Sequence, residues 1–419
     1  MPWTETRAMD ERMRFVVEYD LDELSMAALC ARYGVSRKTG YKWLARAGEL
    51  GLSQLGDRSR APRHHPNQVC DDVEQAVVAM RGAHPTWGPK KLRRRLEDAD
   101  AQASWPARST IAELLRRKGL VVPRKPRRRA TPSTQPLAHA DASNAVWCID
   151  FKGWFRTGDG RRCDPLTISD AFSRYLIRCQ AVEDTSGPGI RPLLEAAFRE
   201  YGLPWAIRSD NGSPFASRAV GGLSRLSVWW IKLGIVHERI EPGKPQQNGR
   251  HERMHLTLKR ETACPPAGTG RAQQRRFDAF LKEYNEDRPH EALGLATPAS
   301  RYAPSPRPYP AREPEVTYPA DWLTRMVRVR GEVKFKGPFF LSAALIGEPV
   351  GLEPIDGRHW RVHFGPVALG IFDEHRHRLL APRELKHAGL TVAPARNPPV
   401  AALQEACGPG EEVLPMSLD

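Results

Sequence analysis

Two aspartates follow short hydrophobic runs that read as buried strands. Asp150 ends the run Val146–Ile149, and Asp210 comes just after the run Trp205–Ile207. Carboxylates at the C-terminal ends of neighbouring strands converge at one edge of an α/β sheet, where such folds usually place their sites. The Asp-Asn-Gly sequence that begins at Asp210 is also typical of an ordinary β-turn. Asp210 alone therefore does not distinguish a catalytic acid from a turn residue.

A third acid, Glu252, lies near the start of a predicted helix that follows the turn Pro245–Gly249. A helix packed over the sheet edge would deliver this carboxylate to the other two. Three carboxylates without a cluster of His or Cys suit hard divalent ions, and Mg²⁺ is the natural choice. Two nearby acids, Glu238 and Glu241, are poorer candidates because both precede that helix.

The N-terminal residues 8–57 have the pattern of a helix-turn-helix domain. Two apolar stripes predict two helices, Gly34 supplies a turn, and Ser36 is placed to cap a third, basic helix. The alternative is a three-helix module with solvated charge. In the DNA-binding reading, the polar residues near the start of the third helix meet a DNA groove. These residues are Arg37, Lys38, Thr39 and Lys42.

A second helical unit is predicted over residues 69–120, again as a helix-turn-helix or winged-helix domain. Trp87-Gly88-Pro89 opens a basic helix, and Ser109-Thr110 caps the last one. Residues 121–139 then form a basic, Pro-rich linker in which proline prevents a regular helix. Arg127 and Arg128 in this linker are expected to follow a phosphate backbone, and a solvated tether without fixed contacts is the alternative.

The remaining chain divides into three predicted segments. Residues 140–305 alternate strands with helices after an initial strand meander, which predicts a central α/β domain. Residues 316–384 contain short strand-like pieces and are expected to form a small C-terminal β-barrel. Residues 390–419 are rich in Pro, Ala, Gly and Glu and are expected to be disordered. The fold class is therefore multidomain, with all-α units, an α/β core and a β domain.

Composition indicates an anionic partner and a reducing compartment. Lys and Arg total 64 against 49 Asp and Glu, a formal net charge of +15, which favours nucleic acid. The seven cysteines are scattered and contain no Cys-x-x-Cys pair, so neither a zinc ribbon nor a disulfide framework is indicated. No signal peptide and no long apolar run is present, so we expect a cytoplasmic protein without a membrane partner.

The acidic residues and their flanking sequences resemble a known catalytic core. The segments that carry the resemblance are Trp147–Gly153, Ser209–Gly212, Pro245–Arg253 and Tyr284–Leu293. Together they are similar to the D, D, E core shared by retroviral integrases and transposases. The similarity is greatest to bacterial insertion-sequence transposases of the IS481 and IS3 kind, which carry helix-turn-helix units in front of the core.

This resemblance implies an RNase H-like fold and a two-step reaction on DNA. Water would free a 3′-hydroxyl at the element end, and that hydroxyl would attack the target strand. Two Mg²⁺ ions, for which Mn²⁺ is expected to substitute, would be held by Asp150, Asp210 and Glu252. The 41 residues between Asp210 and Glu252 exceed the family's usual interval, and the predicted helical stretch Ser217–Leu233 accommodates the excess.

The resemblance also implies contacts and partners. Lys259 lies two helical turns after Glu252 and is expected to touch the DNA end, as are Gln247, Asn248 and Arg253. Double-stranded DNA would be bound both at the element ends and at the target. Joining two ends requires at least a dimer, associated with the bacterial nucleoid when it is on DNA. The alternatives are a catalytically inactive regulator that binds the ends and a structure-selective nuclease with the same fold.

Overall fold

The computed structural model describes residues 8–57, 68–121, 140–217, 219–240 and 249–392. The chain divides into two compact units, Met1–Val69 and Cys70–Asp419. Most of the predicted linker and the predicted disordered tail lie outside the described residues. The same holds for four residues named above, Arg127, Arg128, Gln247 and Asn248, and for the alternative acid Glu241.

The first unit consists of three helices in the predicted places. They are α1 (Ala8–Asp20), α2 (Met26–Arg32) and α3 (Arg37–Leu50). Gly34 adopts a positive φ of 65° in the turn, and the Ser36 side chain caps α3 by accepting a hydrogen bond from the Thr39 amide. Phe15, Leu29 and Trp43 contribute to one small core, so the helix-turn-helix prediction is confirmed in outline.

The second helical unit is formed by α4 (Asp71–Ala83), α5 (Pro89–Ala99) and α6 (Arg108–Arg117). Trp87 is buried at the turn between α4 and α5. The prediction that Ser109-Thr110 caps the last helix is wrong by two to three residues, because the N-cap is Ala107. The backbone is extended at Ala107 and becomes helical at Arg108, so both hydroxyl residues lie inside the first turn.

The α/β core is a six-stranded sheet with helices packed on it. Its strands are β1 (Val146–Phe151), β2 (Phe155–Arg156), β3 (Arg162–Asp170), β4 (Leu176–Val182), β5 (Ala206–Ser209) and β6 (Val236–Arg239). The sheet order is β2-β3-β1-β5-β6, and β4 also pairs with β3. The meander β1-β3-β4 is antiparallel, whereas β5 and β6 join β1 in parallel.

Four helices accompany this sheet. They are α7 (Gly187–Tyr201), α8 (Arg225–Lys232), α9 (Gly249–Thr262) and α10 (Gly270–Lys282). The stretch Ser217–Leu233, predicted to be helical, contains a 3₁₀ turn at Val220–Gly222 followed by α8. Trp229 and Trp230 of α8 are buried in the main core with Phe198.

The C-terminal part is rich in strands, as expected. It contains β7 (Leu323–Met326), β8 (Glu332–Lys334), β9 (Pro338–Phe340), β10 (Pro349–Pro354), β11 (His359–Phe364), β12 (Val367–Asp373), β13 (Arg378–Leu379) and the short helix α11 (Pro382–His387). The predicted closed barrel is not confirmed. The strands form an open sheet in the order β13-β12-β11-β10-β7, and β8 and β9 form a separate two-stranded sheet.

Across the described ranges, no helix combines the length and the apolar character needed to cross a membrane.

Candidate active site

Asp150 and Asp210 occupy equivalent positions at the ends of adjacent parallel strands. The register of β1 and β5 pairs Cys148 with Arg208. Continuing that register by two residues sets Asp150 beside Asp210 at the C-terminal edge of the sheet. Adjacent strands are about 5 Å apart. Buried residues from Val146 to Ile149 anchor β1 in the core, and Asp150 is the first residue after them that is half-buried.

The turn after Asp210 fixes that carboxylate and leaves it accessible. The Gly212 amide donates a hydrogen bond to Asp210 Oδ1 at 3.1 Å, and the Asn211 side-chain amide donates to the Ile240 carbonyl at 2.6 Å. A Cβ at Gly212 would lie 3.0 Å from Asp210 Oδ2, so glycine permits the close approach. Asp210 itself is exposed. The Asp-Asn-Gly sequence therefore forms a turn and also presents its carboxylate to solvent.

Helix α9 docks on the sheet through two histidines that the sequence analysis did not single out. His251 and His255 are only 2% and 5% exposed. The Nε2 atoms of both lie 2.7 Å from the Thr167 hydroxyl of β3. Ser169 Oγ lies 3.0 Å from His251 Nδ1. This group of hydroxyls and imidazoles holds against β3 the first turns of α9, the part of the helix that carries Glu252 on another face.

The hydrogen-bond roles in this group follow from counting protons. The Thr167 hydroxyl lies 3.1 Å from the Asp150 carbonyl oxygen, which can only accept. When Thr167 donates its single proton there, both imidazoles donate their Nε2 protons to Thr167 and Ser169 donates to His251 Nδ1. Burial lowers the pKa of His251 to about 3. Burial, with the charges of His251 and Lys152, lowers the pKa of His255 to about 2, so both rings are neutral near pH 7.

Glu252 lies on a different face of α9 from the histidine pair. It follows His251 by one residue, which places it about 100° around the helix. Glu252, Leu256 and Lys259 share one exposed stripe, and Leu256 is 43% exposed. Arg253 is exposed as well. Glu252 and Lys259 thus share one face of α9, as their spacing predicts, and this face is exposed.

Within the described residues, one group of three potential metal ligands is tightly clustered. The donor atoms of Asp150, His251 and His255 all lie within 4.8 Å of one another. The carboxylates of Asp150, Asp210 and Glu252 do not form a group this compact. The expectation that no histidine cluster accompanies the acids is therefore wrong. The signal that identifies the pair is the His-Glu-x-x-His spacing, which puts two imidazoles on one helix face.

The three acids nevertheless fit a hard divalent cation by their chemistry. All three are carboxylates, two of them follow adjacent parallel strands, and Asp210 and Glu252 are exposed. Mg²⁺ prefers oxygen ligands and keeps several waters, so it requires solvent access of this kind. The rival acid Glu238 already accepts hydrogen bonds from Arg208, from Nε at 3.0 Å and from Nη2 at 2.5 Å. Glu252, by contrast, is exposed.

His290 packs against Tyr284 and is not part of the cluster of potential metal ligands. Its ring contacts Tyr284, with 4.6 Å between ring centroids, and it forms a hydrogen bond with the Tyr284 backbone. Burial, with the charges of Lys91 and Arg288, lowers the pKa of His290 to about 3.

Comparisons with known families agree with this arrangement. Two family models described as an integrase core domain match residues 140–245 and 233–298. A helix-turn-helix domain model matches residues 11–63, and a homeodomain-like domain model matches residues 39–115. The matches thus cover the sheet that carries Asp150 and Asp210, helix α9, and helices of both N-terminal units.

Individual relatives extend the match over most of their own length. An uncharacterized 31.7 kDa protein of insertion element IS407 from Burkholderia multivorans is 30% identical over 252 residues, covering 60% of this chain and 86% of the relative. The chain belongs to the insertion-element transposase family. Transposase InsD of an Escherichia coli insertion element is 26% identical over 302 residues, covering 64% of this chain and 92% of that protein. The structure of the HTLV-2 integrase catalytic core domain is 16% identical, with a TM-score of 0.31, and covers 39% of this chain and 99% of that one.

In this transposase, helix α3 presents the predicted polar residues unequally. Arg37, Lys38 and Lys42 are exposed, and the Lys42 ammonium lies 5.1 Å from the centre of the Trp43 ring. Thr39 is half-buried, and its hydroxyl lies 2.9 Å from Ser36 Oγ at the start of the helix. Three cations are therefore available on the outer face of α3, whereas Thr39 participates in the cap.

The second helical unit is docked on the catalytic core through charged groups. Lys90 donates to Glu291 at 2.8 Å, and Arg95 donates to Asp287 at 2.8 Å. Glu261, in the last turn of α9, accepts hydrogen bonds from Thr86 and from Arg288, the latter at 2.7 Å. Two basic residues of α5 thus contact acids of the core, and the helix that carries Glu252 is tied to this unit.

Proposed function

We propose that this transposase binds the terminal inverted repeats of its insertion element and performs metal-dependent strand cleavage and strand transfer. The cutting centre consists of Asp150, Asp210 and Glu252. The observation that carries the proposal is the parallel register of β1 and β5, whose last pair, Cys148 with Arg208, lies two residues before each of the first two acids. The match of both halves of this region to integrase core domains supports the same reading.

Two Mg²⁺ ions are the proposed cofactors, and Mn²⁺ is the proposed substitute. Asp150 would help to hold both ions, and Asp210 and Glu252 would each hold one. Bound there, the ions activate the attacking oxygen and stabilise the leaving oxygen of a phosphodiester. The chain's own part is to fix the carboxylates. The Asn211-Gly212 turn does so for Asp210, and the His251–Thr167 contact does so for the helix of Glu252.

The exposed cations are proposed to position DNA. Lys259 and Arg253 lie beside Glu252 on α9, where they would contact phosphates at the element end. Arg37, Lys38 and Lys42 of α3 would read the end sequence in a groove. The same proposed set of DNA contacts includes Thr39. It also includes four residues outside the described ranges, namely Arg127, Arg128, Gln247 and Asn248.

The whole molecule is proposed to act as an oligomer on two DNA ends and a target. Because strand transfer joins both ends of the element, at least two copies of the chain must assemble. Assignment to the IS481 or IS3 kind, a location in the bacterial cytoplasm and association with the nucleoid are parts of the same proposal. The high positive charge of the chain supports an extended contact with DNA.

A strand-cleavage assay on DNA that carries the element's own ends tests this function. We expect nicking at the end with Mg²⁺ and none with a chelator. Asp210→Asn should lower the cleavage rate by roughly 100-fold or more while DNA binding survives, because the ion-holding charge is lost. Asp141→Asn is the matched control, since this exposed aspartate precedes β1 and lies outside the centre.

A second pair of variants tests which glutamate completes the centre. Glu252→Gln should abolish cleavage, whereas Glu238→Gln should retain it and lose only stability through the Arg208 contact. Equal cleavage by the wild-type chain and Glu252→Gln would disprove the assignment. Tight end binding without nicking under any divalent metal would favour the regulator instead.

A further inference from the structure

Helix α9 carries two imidazoles in the arrangement that proteins use to chelate a metal ion. His251 and His255 are one helical turn apart and project from the same face. One ring nitrogen of each histidine and a carboxylate oxygen of Asp150 lie within 4.8 Å of one another. Both imidazoles are almost completely buried, so their positions are fixed by packing rather than by solvent-exposed rotamers. Nothing in the proposed reaction uses these nitrogens.

The donor types select a class of ion. Two imidazole nitrogens and one carboxylate suit Zn²⁺ and its neighbours Co²⁺, Ni²⁺ and Cu²⁺, whereas Mg²⁺ prefers oxygen alone. We propose that Asp150, His251 and His255 form a binding site for a zinc-class transition-metal ion. Zn²⁺ bonds to His at about 2.0–2.1 Å, so ligand atoms must approach to about 3.4 Å from one another in a tetrahedral site. The ligand atoms of the cluster, within 4.8 Å of one another, would have to reach that spacing when an ion binds.

The neighbouring hydroxyls can accommodate the tautomer of His251 that metal binding requires. Without metal, the Nε2 atoms of both rings are hydrogen-bonded to Thr167 Oγ1. Metal coordination through Nε2 requires the proton of a neutral ring to be on Nδ1. In His251, Nδ1 would then donate to Ser169 Oγ, 3.0 Å away, and Ser169 changes from donor to acceptor. The proton moves within the ring, the ion replaces the Thr167 hydrogen bonds, and a water molecule would supply the fourth ligand.

The site is unlike the zinc centre of a metalloprotease, although the His-Glu-x-x-His spacing is the same. In those enzymes the ion keeps a position open for substrate. Here the imidazoles face strand β3 and are buried against Thr167, so a peptide has no access to them. The consequence lies elsewhere and rests on the proposed function. An ion held by Asp150 withdraws that carboxylate from the Mg²⁺ pair, so zinc-class ions should inhibit strand cleavage.

Cobalt binding tests the site directly, without DNA and without cleavage. The full-length chain, stripped with a chelator and dialysed, is titrated with Co²⁺ while the visible absorption bands of four-coordinate cobalt are recorded. We expect one ion per chain with these bands. His255→Gln and Asp150→Asn should each weaken this binding at least tenfold. His290→Gln is the matched control, because this buried histidine contacts Tyr284 and not the cluster, and its binding should equal that of the wild type.

Thr167→Val separates a metal site from a purely structural group. The valine removes the hydroxyl but leaves all three ligands, so cobalt should bind at least as tightly as in the wild type. Loss of binding in Thr167→Val with retention in His255→Gln would overturn the proposal, as would an absence of visible bands. Circular dichroism of each variant shows that it is folded. If His255→Gln does not fold, His251→Asn takes its place in the comparison.

Cleavage assays then distinguish the two proposals. Zn²⁺ added to the Mg²⁺ reaction should lower the cleavage rate, and the Zn²⁺ concentration for half-inhibition should rise at least tenfold in His255→Gln. Cobalt binding without any Mg²⁺-dependent cleavage would contradict the proposed function while leaving the metal site in place. Cleavage that responds to Zn²⁺ equally in the wild type and His255→Gln would show that inhibition does not involve this site.

Discussion

Gly40 allows helix α3 to lie directly against α1 and α2. A Cβ at this position would be 2.8 Å from both Cys30 Sγ and Phe15 Cζ, which is too close for atoms in contact. We therefore expect Gly40→Ala to destabilise the N-terminal unit by about 1–3 kcal/mol through overpacking. Because Arg37 and Lys38 are on the same helix, affinity for the element end should fall with it. Thermal unfolding and a gel-shift titration measure the two effects.

Gly48 supplies the matched control within the same helix. A Cβ there meets no atom within 4 Å, so Gly48→Ala should only improve helix propensity. The expected gain is up to about 1 kcal/mol. Two substitutions with the same chemistry on one helix should thus shift the unfolding temperature in opposite directions. The same shift in both variants would contradict the packing argument at Gly40.

At the scale of elements, the docking of α9 makes the fold sensitive to acid. His251 and His255 have pKa values lowered to about 3 and about 2 by burial, against 6.5 in an unfolded chain. The unfolded state therefore binds more protons, and stability is complete above about pH 6.5 and falls as the pH drops toward 3. At pH 5 each of the two histidines lowers the free energy of unfolding by up to about 2 kcal/mol relative to pH 7.5.

Denaturant unfolding at pH 7.5 and pH 5, in chelator, measures this loss. His255→Gln should show a shallower dependence of the unfolding free energy on pH than the wild type, because it lacks one of the protonating groups. His387→Gln is the control, since this histidine lies in α11 and not in the core. A wild-type free energy that is constant between the two pH values would contradict the burial of neutral imidazoles at the α9–β3 contact.

The elements that the sequence predicts well are those with local signals. Gly34 and Ser36 predict the start of α3, and the apolar run before Asp150 predicts β1. Both signals are local, because a helix cap and a buried strand depend on residues that are adjacent in the sequence. The prediction of a barrel was not confirmed, because closure of a barrel depends on pairing between strands that are distant in the sequence, and no local pattern encodes such pairing. The contact of His251 with Thr167 was missed for the same reason, since the partners are 84 positions apart. Only the helical spacing of the two histidines was visible beforehand.

At the scale of the whole molecule, Glu261 couples the second helical unit to the catalytic core. It lies in α9, is paired with Arg288, and also accepts a hydrogen bond from Thr86 of the second unit. The pair is largely buried, with side chains 7% exposed for Arg288 and 15% for Glu261. Removing one partner of such a pair leaves an uncompensated charge. The two parts of Cys70–Asp419 are therefore expected to unfold together.

Glu261→Ala should lower the unfolding free energy of this unit by roughly 3–5 kcal/mol, because Arg288 is left buried without its counter-charge. Glu291→Ala removes the acid from an exposed pair with Lys90 and should cost under about 1 kcal/mol. Tryptophan fluorescence and far-ultraviolet circular dichroism, followed in urea, measure both variants. Equal losses of unfolding free energy in the two variants would show that the Glu261 contacts stabilise the unit no more than an ordinary surface ion pair does. Separated fluorescence and dichroism transitions in the wild type would show that the second helical unit unfolds apart from the core.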